Sequence, residues 1–245
     1  MASKILNYKT FFKNKIILIA SVVTILEAFV SYSINILMGN TRAIQSLLKP
    51  LCFSKAFTNV LSYIFSFDYF IVMYGAAMFL FFCLSKKDKK LNTAAFLLFL
   101  SGLLRLIYSS IQLIMVLFFG LYTTSPESEA YYQLAGISAT FLFAVYLPQF
   151  VFFCSVRKSI KYNINTHRGA KITAITGYIL AVLMLIPIIR YGYDVVNLAL
   201  MIFSSGAYLV QAVVAHNYYN FVRYKGYTQK KKTPYRETRL ERRNY

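Results

Sequence analysis

Residues 94–119 read AAFLLFLSGLLRLIYSSIQLIMVLFF, apolar almost throughout, with one charge, Arg105, near the middle. A helix crossing ~30 Å of hydrocarbon needs about 20 such residues. A core helix of a soluble protein has no use for so long a run. An arginine at its centre costs on the order of 3 kcal/mol or more in lipid. The stretch therefore reads as a transmembrane helix, and its arginine as a residue with a purpose.

Five further runs flank it, at 16–38, 59–84, 131–154, 172–189 and 195–215. Together they predict an all-α polytopic bundle of six spans over residues 1–217, followed by a basic, disordered cytoplasmic tail over 218–245. The helical class follows because lipid offers backbone groups no hydrogen-bond partner, so each span must satisfy its own. Composition agrees: 58% of residues are apolar and 14% charged, against roughly 25% charged in an average soluble domain. Disordered, collagenous and coiled-coil chains are excluded, and a soluble enzyme is disfavoured. The first run is too long for a signal peptide and lacks a small-residue cleavage site, so it is expected to be a retained span.

Net charge is +19. In a soluble protein this would point to nucleic acid, but here the basic residues lie between apolar runs, and no specific nucleic-acid partner is expected. Of the 27 Lys and Arg, 22 fall on one side of the predicted spans; the other side has Arg42, Lys49, Lys55 and Arg190. The positive-inside rule then predicts both termini in the cytoplasm. In the first outer loop, Ile44, Leu47, Leu48, Leu51 and Cys52 recur at helical spacing and predict a short interfacial helix, with Pro50 inside it. The tail carries Lys230, Lys231, Lys232, Arg236, Arg239, Arg242 and Arg243. Such a cluster attracts anionic lipid headgroups at about 1 kcal/mol per charge.

Three ionisable residues fall near the membrane midplane: Glu27, Asp68 and Arg105. Intramembrane charges face the bundle interior or water and pair with one another. Consecutive helices tend to be neighbours, so Arg105 is expected to reach Glu27, Asp68 or both. Two acids against one base leave a carboxylate short of compensation, a candidate for reversible protonation or cation binding. The same residues also fit a static ion cluster that fixes helix register. Asn35, Gln112, Asn197 and Gln211 are candidates to line the cavity, or to serve as interhelical glue. Gly75-Ala76-Ala77, Ala135 with Ala139, and Ser204-Ser205-Gly206-Ala207 mark close helix contacts.

Neither a GxxxxGK[ST], an HExxH nor a metal-spaced His/Cys cluster occurs, and no cofactor or metal is expected. Any ATP that drives the protein binds another chain. Enzyme chemistry is left open as the less favoured class. Six spans, inward termini and small size resemble the substrate-binding subunits of energy-coupling-factor vitamin transporters. That resemblance covers the architecture of the whole chain and carries no residue motif. The paired small residues of such subunits are missing, Ala20 and Ala28 lying eight apart, so no site residue is transferred. The expectation is a small-solute transporter, or the membrane subunit of one, with a charged midplane site. The alternative is an interaction, assembly or immunity protein whose ion cluster is structural. Short loops without glycosylation acceptors or a transit peptide fit a bacterial plasma membrane.

Overall fold

A computed structural model describes residues 8–37, 55–85, 88–120, 126–162, 166–186 and 195–225. Among them there is no strand. The helices are α1 (Tyr8–Phe12), α2 (Lys15–Leu37), α3 (Lys55–Ser85), α4 (Asp88–Gly120), α5 (Pro126–Tyr162), α6 (Ala170–Leu183) and α7 (Val195–Asn220), the last continuing into a π-helical turn, Phe221–Lys225. Each of the six runs read from the sequence contains helix among the described residues. Five of these helices are long and apolar enough to cross a membrane, whereas α6 is a shorter apolar helix. At 1.5 Å per residue its 14 residues span about 21 Å, short of the hydrocarbon thickness. The run expected to reach 189 turns at Met184 and Leu185.

Neighbouring helices in the chain pack side by side, and α7 closes against α2, so α2 to α7 form a ring in sequence order. Its outer surface is apolar. On α2 the exposed stripe is Ile19, Val22, Leu26 and Phe29; on α6 it is Ile172, Ile175, Ile179 and Val182. The opposite face of α6 buries Ala170, Thr173, Ala174, Gly177, Leu180 and Ala181. Large apolar groups outside and mostly small groups inside invert the order of a soluble protein. The surface is that of an integral membrane protein, with interfaces where small residues let backbones approach. A Cβ on Gly177 would meet Ala212 Cβ at 2.9 Å, one on Gly75 would meet Leu97 Cβ at 3.2 Å, and one on Gly102 would meet Phe153 Cδ2 at 2.7 Å. Within Ser204-Ser205-Gly206-Ala207, Ser205 Oγ donates to the Ala181 carbonyl at 2.7 Å and ties α7 to α6.

One end of the ring is closed by an aromatic cluster. Asn14 starts α2: its carbonyl accepts from Ile17 N at 3.0 Å and its Oδ1 from Ile16 N at 3.4 Å. The turn folds α1 back beneath the bundle. Tyr8, Phe11 and Phe12 are buried there with Phe79, Phe82, Phe152, Phe153 and Tyr218. The Phe12 ring lies 5.6 Å from Phe79, and Cys83 Sγ donates to the Phe12 carbonyl at 3.2 Å. The Tyr218 hydroxyl sits 2.7 Å from Ser159 Oγ and 3.0 Å from the Thr166 carbonyl. Burial pushes the Tyr8 phenol above its ordinary range, opposed by a hydrogen bond with Ser159, so it stays neutral. The sequence placed Tyr218 at the start of the tail. In the structure, helix continues to Asn220, and both Tyr218 and Val222 are buried.

Basic residues rim this same end. Lys90 lies over Phe81, Arg157 over Phe96 and Phe99, and Lys13 over Phe82. The connection from α5 to α6 returns along α5, where Ser155 Oγ donates to the Arg168 carbonyl at 2.9 Å. Gly169 has φ 77°, and a Cβ there would meet Pro148 O at 2.5 Å and Phe152 N at 2.7 Å. Only glycine fits both the left-handed conformation and the contact. The expected interfacial-helix stretch up to residue 54, the loop at 187–194 and the tail from 226 lie outside the described residues.

Candidate functional site

The ring brings Glu27, Asp68 and Arg105, the three charges expected near the midplane, within electrostatic reach of one another. Arg105 on α4 donates from Nε to Asp68 Oδ2 on α3 at 2.7 Å, the only ion pair among the described residues. Of the two acids the sequence offered Arg105, it takes Asp68. Glu27 on α2 lies within electrostatic reach of both partners without joining the pair. It accepts a hydrogen bond at Oε1 from Ser31 Oγ at 3.0 Å, one helical turn along. A guanidinium presents five N–H donors and no acceptor, and here one of the five is engaged by protein. The side chain of Arg105 retains 24% exposure. Asp68 retains 9%, and its Oδ1 is buried without a hydrogen-bond partner.

Tyrosines complete the layer. Tyr208 on α7 lies beside Tyr146 on α5 and sits in the field of both Arg105 and Glu27. Tyr146 also lies in the field of Arg105. Tyr108, one turn from Arg105 on α4, lies within electrostatic reach of Tyr146 and Tyr69. Five helices thus each contribute a polar residue at similar depth, although their outer faces are apolar.

The layer lies about 15 Å from the aromatic end, since ten residues separate Glu27 from Ile17 and Tyr208 from Tyr218 at 1.5 Å each. Nothing in spacing singled out Tyr146 or Tyr208, because the chain holds 21 tyrosines. The available signal was depth: both fall mid-span, as Arg105 does.

The secondary candidates divide. Gln112 donates from Nε2 to the Tyr108 hydroxyl at 2.6 Å within its own helix, while its Oε1 is buried without a partner. Gln211 is half-buried on α7, one turn from Tyr208. Asn35 and Asn197 lie on α2 and α7, but their side chains are outside the described residues. Lys230, Lys231, Lys232, Arg236, Arg239, Arg242 and Arg243 are outside them altogether. Among the described residues no group of three or more His, Cys, Asp or Glu gathers to hold a metal ion.

Chemically the layer can bind and orient. It offers fixed charges of both signs, hydroxyls that donate or accept, and a low-dielectric surround in which each contact counts for more than in water. No protein-family model, no curated protein and no solved structure matches the chain, so what the layer does rests on its own geometry.

Proposed function

We propose that the protein is a membrane carrier, or the membrane subunit of one, that binds a small polar solute at the Glu27–Asp68–Arg105 layer. One observation carries the reading: Asp68 Oδ1 is buried and unpartnered beside a guanidinium that uses a single donor. Gln112 Oε1, Gln149 Oε1 and Thr173 Oγ1 are also buried without a partner, but among the four only Asp68 is a carboxylate, and an unsatisfied buried acceptor costs roughly 1–3 kcal/mol, more when charged. A solute that supplies the missing partners removes that cost.

In this reading α6 belongs to a sixth span completed beyond Ile186, and both termini face the cytoplasm. The positive-inside count supports that orientation, with a bacterial plasma membrane as host. The basic tail rests on anionic headgroups, and a separate ATPase supplies energy if ATP is used. Vesicles holding the protein, incubated with a metabolite extract and analysed by mass spectrometry, should accumulate a solute that vesicles with Glu27→Gln/Asp68→Asn do not. Identical contents, with both proteins folded, would overturn the reading.

A second reading takes the protein as an interaction, assembly or immunity factor. It is favoured by the 2.7 Å bond itself, which pins α3 to α4. Affinity purification from native membranes separates the two. A stoichiometric ATPase, or the chain alone, fits the carrier; secretion or ribosomal components fit the second reading.

A further inference from the structure

The donors and acceptors left over in the layer form two poles. Arg105 commits Nε to Asp68, so both of its terminal nitrogens, the edge that forks onto a carboxylate, donate to nothing among the described residues. They are not sealed off, since neither belongs with the buried unpartnered atoms and the side chain keeps 24% exposure. This leaves a guanidinium edge with donors to spare beside the acid that pairs with Nε. Glu27 is the other pole: a carboxylate outside the ion pair, held by Ser31 at one oxygen. Tyr208 lies in the field of both poles, with Tyr146 beside it. A hydroxyl so placed can donate to an anionic group or accept from a cationic one.

We infer that the layer takes a small zwitterion, with its carboxylate on the free edge of Arg105 and its ammonium at Glu27. This rests on the carrier reading and narrows its substrate. A lone anion on Arg105 would face Asp68 and Glu27 together. A lone cation at Glu27 would leave the guanidinium edge empty and close to its own charge. A molecule carrying both charges satisfies each pole, giving the surplus carboxylate a cation and the free guanidinium edge an anion. Tyrosine rings rather than more charges around the poles fit a ligand of low overall polarity, such as an α-amino acid with a small or apolar side chain.

The experiment uses the full chain in phosphatidylethanolamine–phosphatidylglycerol vesicles and a pool of the twenty common amino acids, each radiolabelled in turn. For any that is retained, its methyl ester (cation only) and its deaminated acid (anion only) are compared with it. The expected result is saturable retention of at least one amino acid, with both derivatives bound about tenfold or more weakly, which is about 1.4 kcal/mol per lost pole. In Glu27→Gln the amino acid should bind no better than its deaminated acid; in Arg105→Lys the methyl ester should bind nearly as well as the amino acid. Circular dichroism melts check that both variants fold. Equal binding of ester and amino acid by the wild-type protein would overturn the inference. Uptake of other solutes from a metabolite extract with no amino acid retained would also overturn it, while leaving the carrier standing. Folded protein that retains nothing and transports nothing would defeat both.

Discussion

At the residue scale, the bond between Arg105 and Asp68 is the feature on which most depends. Truncating one partner leaves the other charged and buried, which costs on the order of 3–5 kcal/mol. Arg105→Leu and Asp68→Leu should each destabilise the protein by about that much in detergent unfolding, and Arg105→Leu/Asp68→Leu by less than either alone. Additive losses would mean that the two side chains do not depend on each other. This pair was legible in the sequence, because charges in lipid are rare and must find partners. Which acid Arg105 takes was not legible, since that depends on the rotation of α2 and α3 about their axes. Tyr146 and Tyr208 were invisible for a different reason. A tyrosine in a span is inexpensive enough to occur anywhere, so type and spacing carry little information, and only the contact between α5 and α7 reveals the pair.

At the element scale, helix existence was legible and helix ends were not. Apolar runs predicted the cores of α2 to α5 and α7 because the bilayer enforces length. The extensions lie where the bilayer no longer decides: α5 continues to Tyr162 and α7 to Asn220 because they pack against the returning loop and α1. That loop offers a sharp test. Gly169→Ala adds a Cβ into the α5 backbone at a left-handed position and should cost on the order of 2–3 kcal/mol. Gly206→Ala is the control. Its Cβ would meet only Val23 Cγ1, at 4.0 Å, so the change should be neutral or stabilising by up to about 1 kcal/mol. Thermal melts of both variants in one detergent make the comparison. Equal effects would mean that the turn does not bear on α5 as described.

At the scale of the whole molecule, the ring encloses polar groups and shows apolar ones outward, as the composition implied. The parity of its spans turns on α6, which is shorter than its neighbours. Reporter fusions settle it. If α6 completes a sixth span, reporters at both termini will be active on the cytoplasmic side; with five spans they will report opposite sides. Counting charges loop by loop argues for an even number from the amino-acid order alone. The brevity of α6 shows only in the fold, where the helix ends at Leu183 although apolar residues continue beyond it.

The packed end formed by α1 has an electrical consequence. Tyr8, Phe11, Phe12 and their neighbours are a dry insulating layer, so part of the transmembrane voltage falls across them rather than along an aqueous path. A bare ion reaching the polar layer from the opposite face would traverse only the rest of the field. Its affinity would then shift by at most about 1 kcal/mol for each 100 mV. A molecule whose two charges cancel crosses the same drop unmoved. If the layer takes a solute as proposed, the aromatic floor makes membrane potential a discriminator between kinds of cargo: it pulls or repels ions at the site and leaves dipolar solutes to chemical gradient alone.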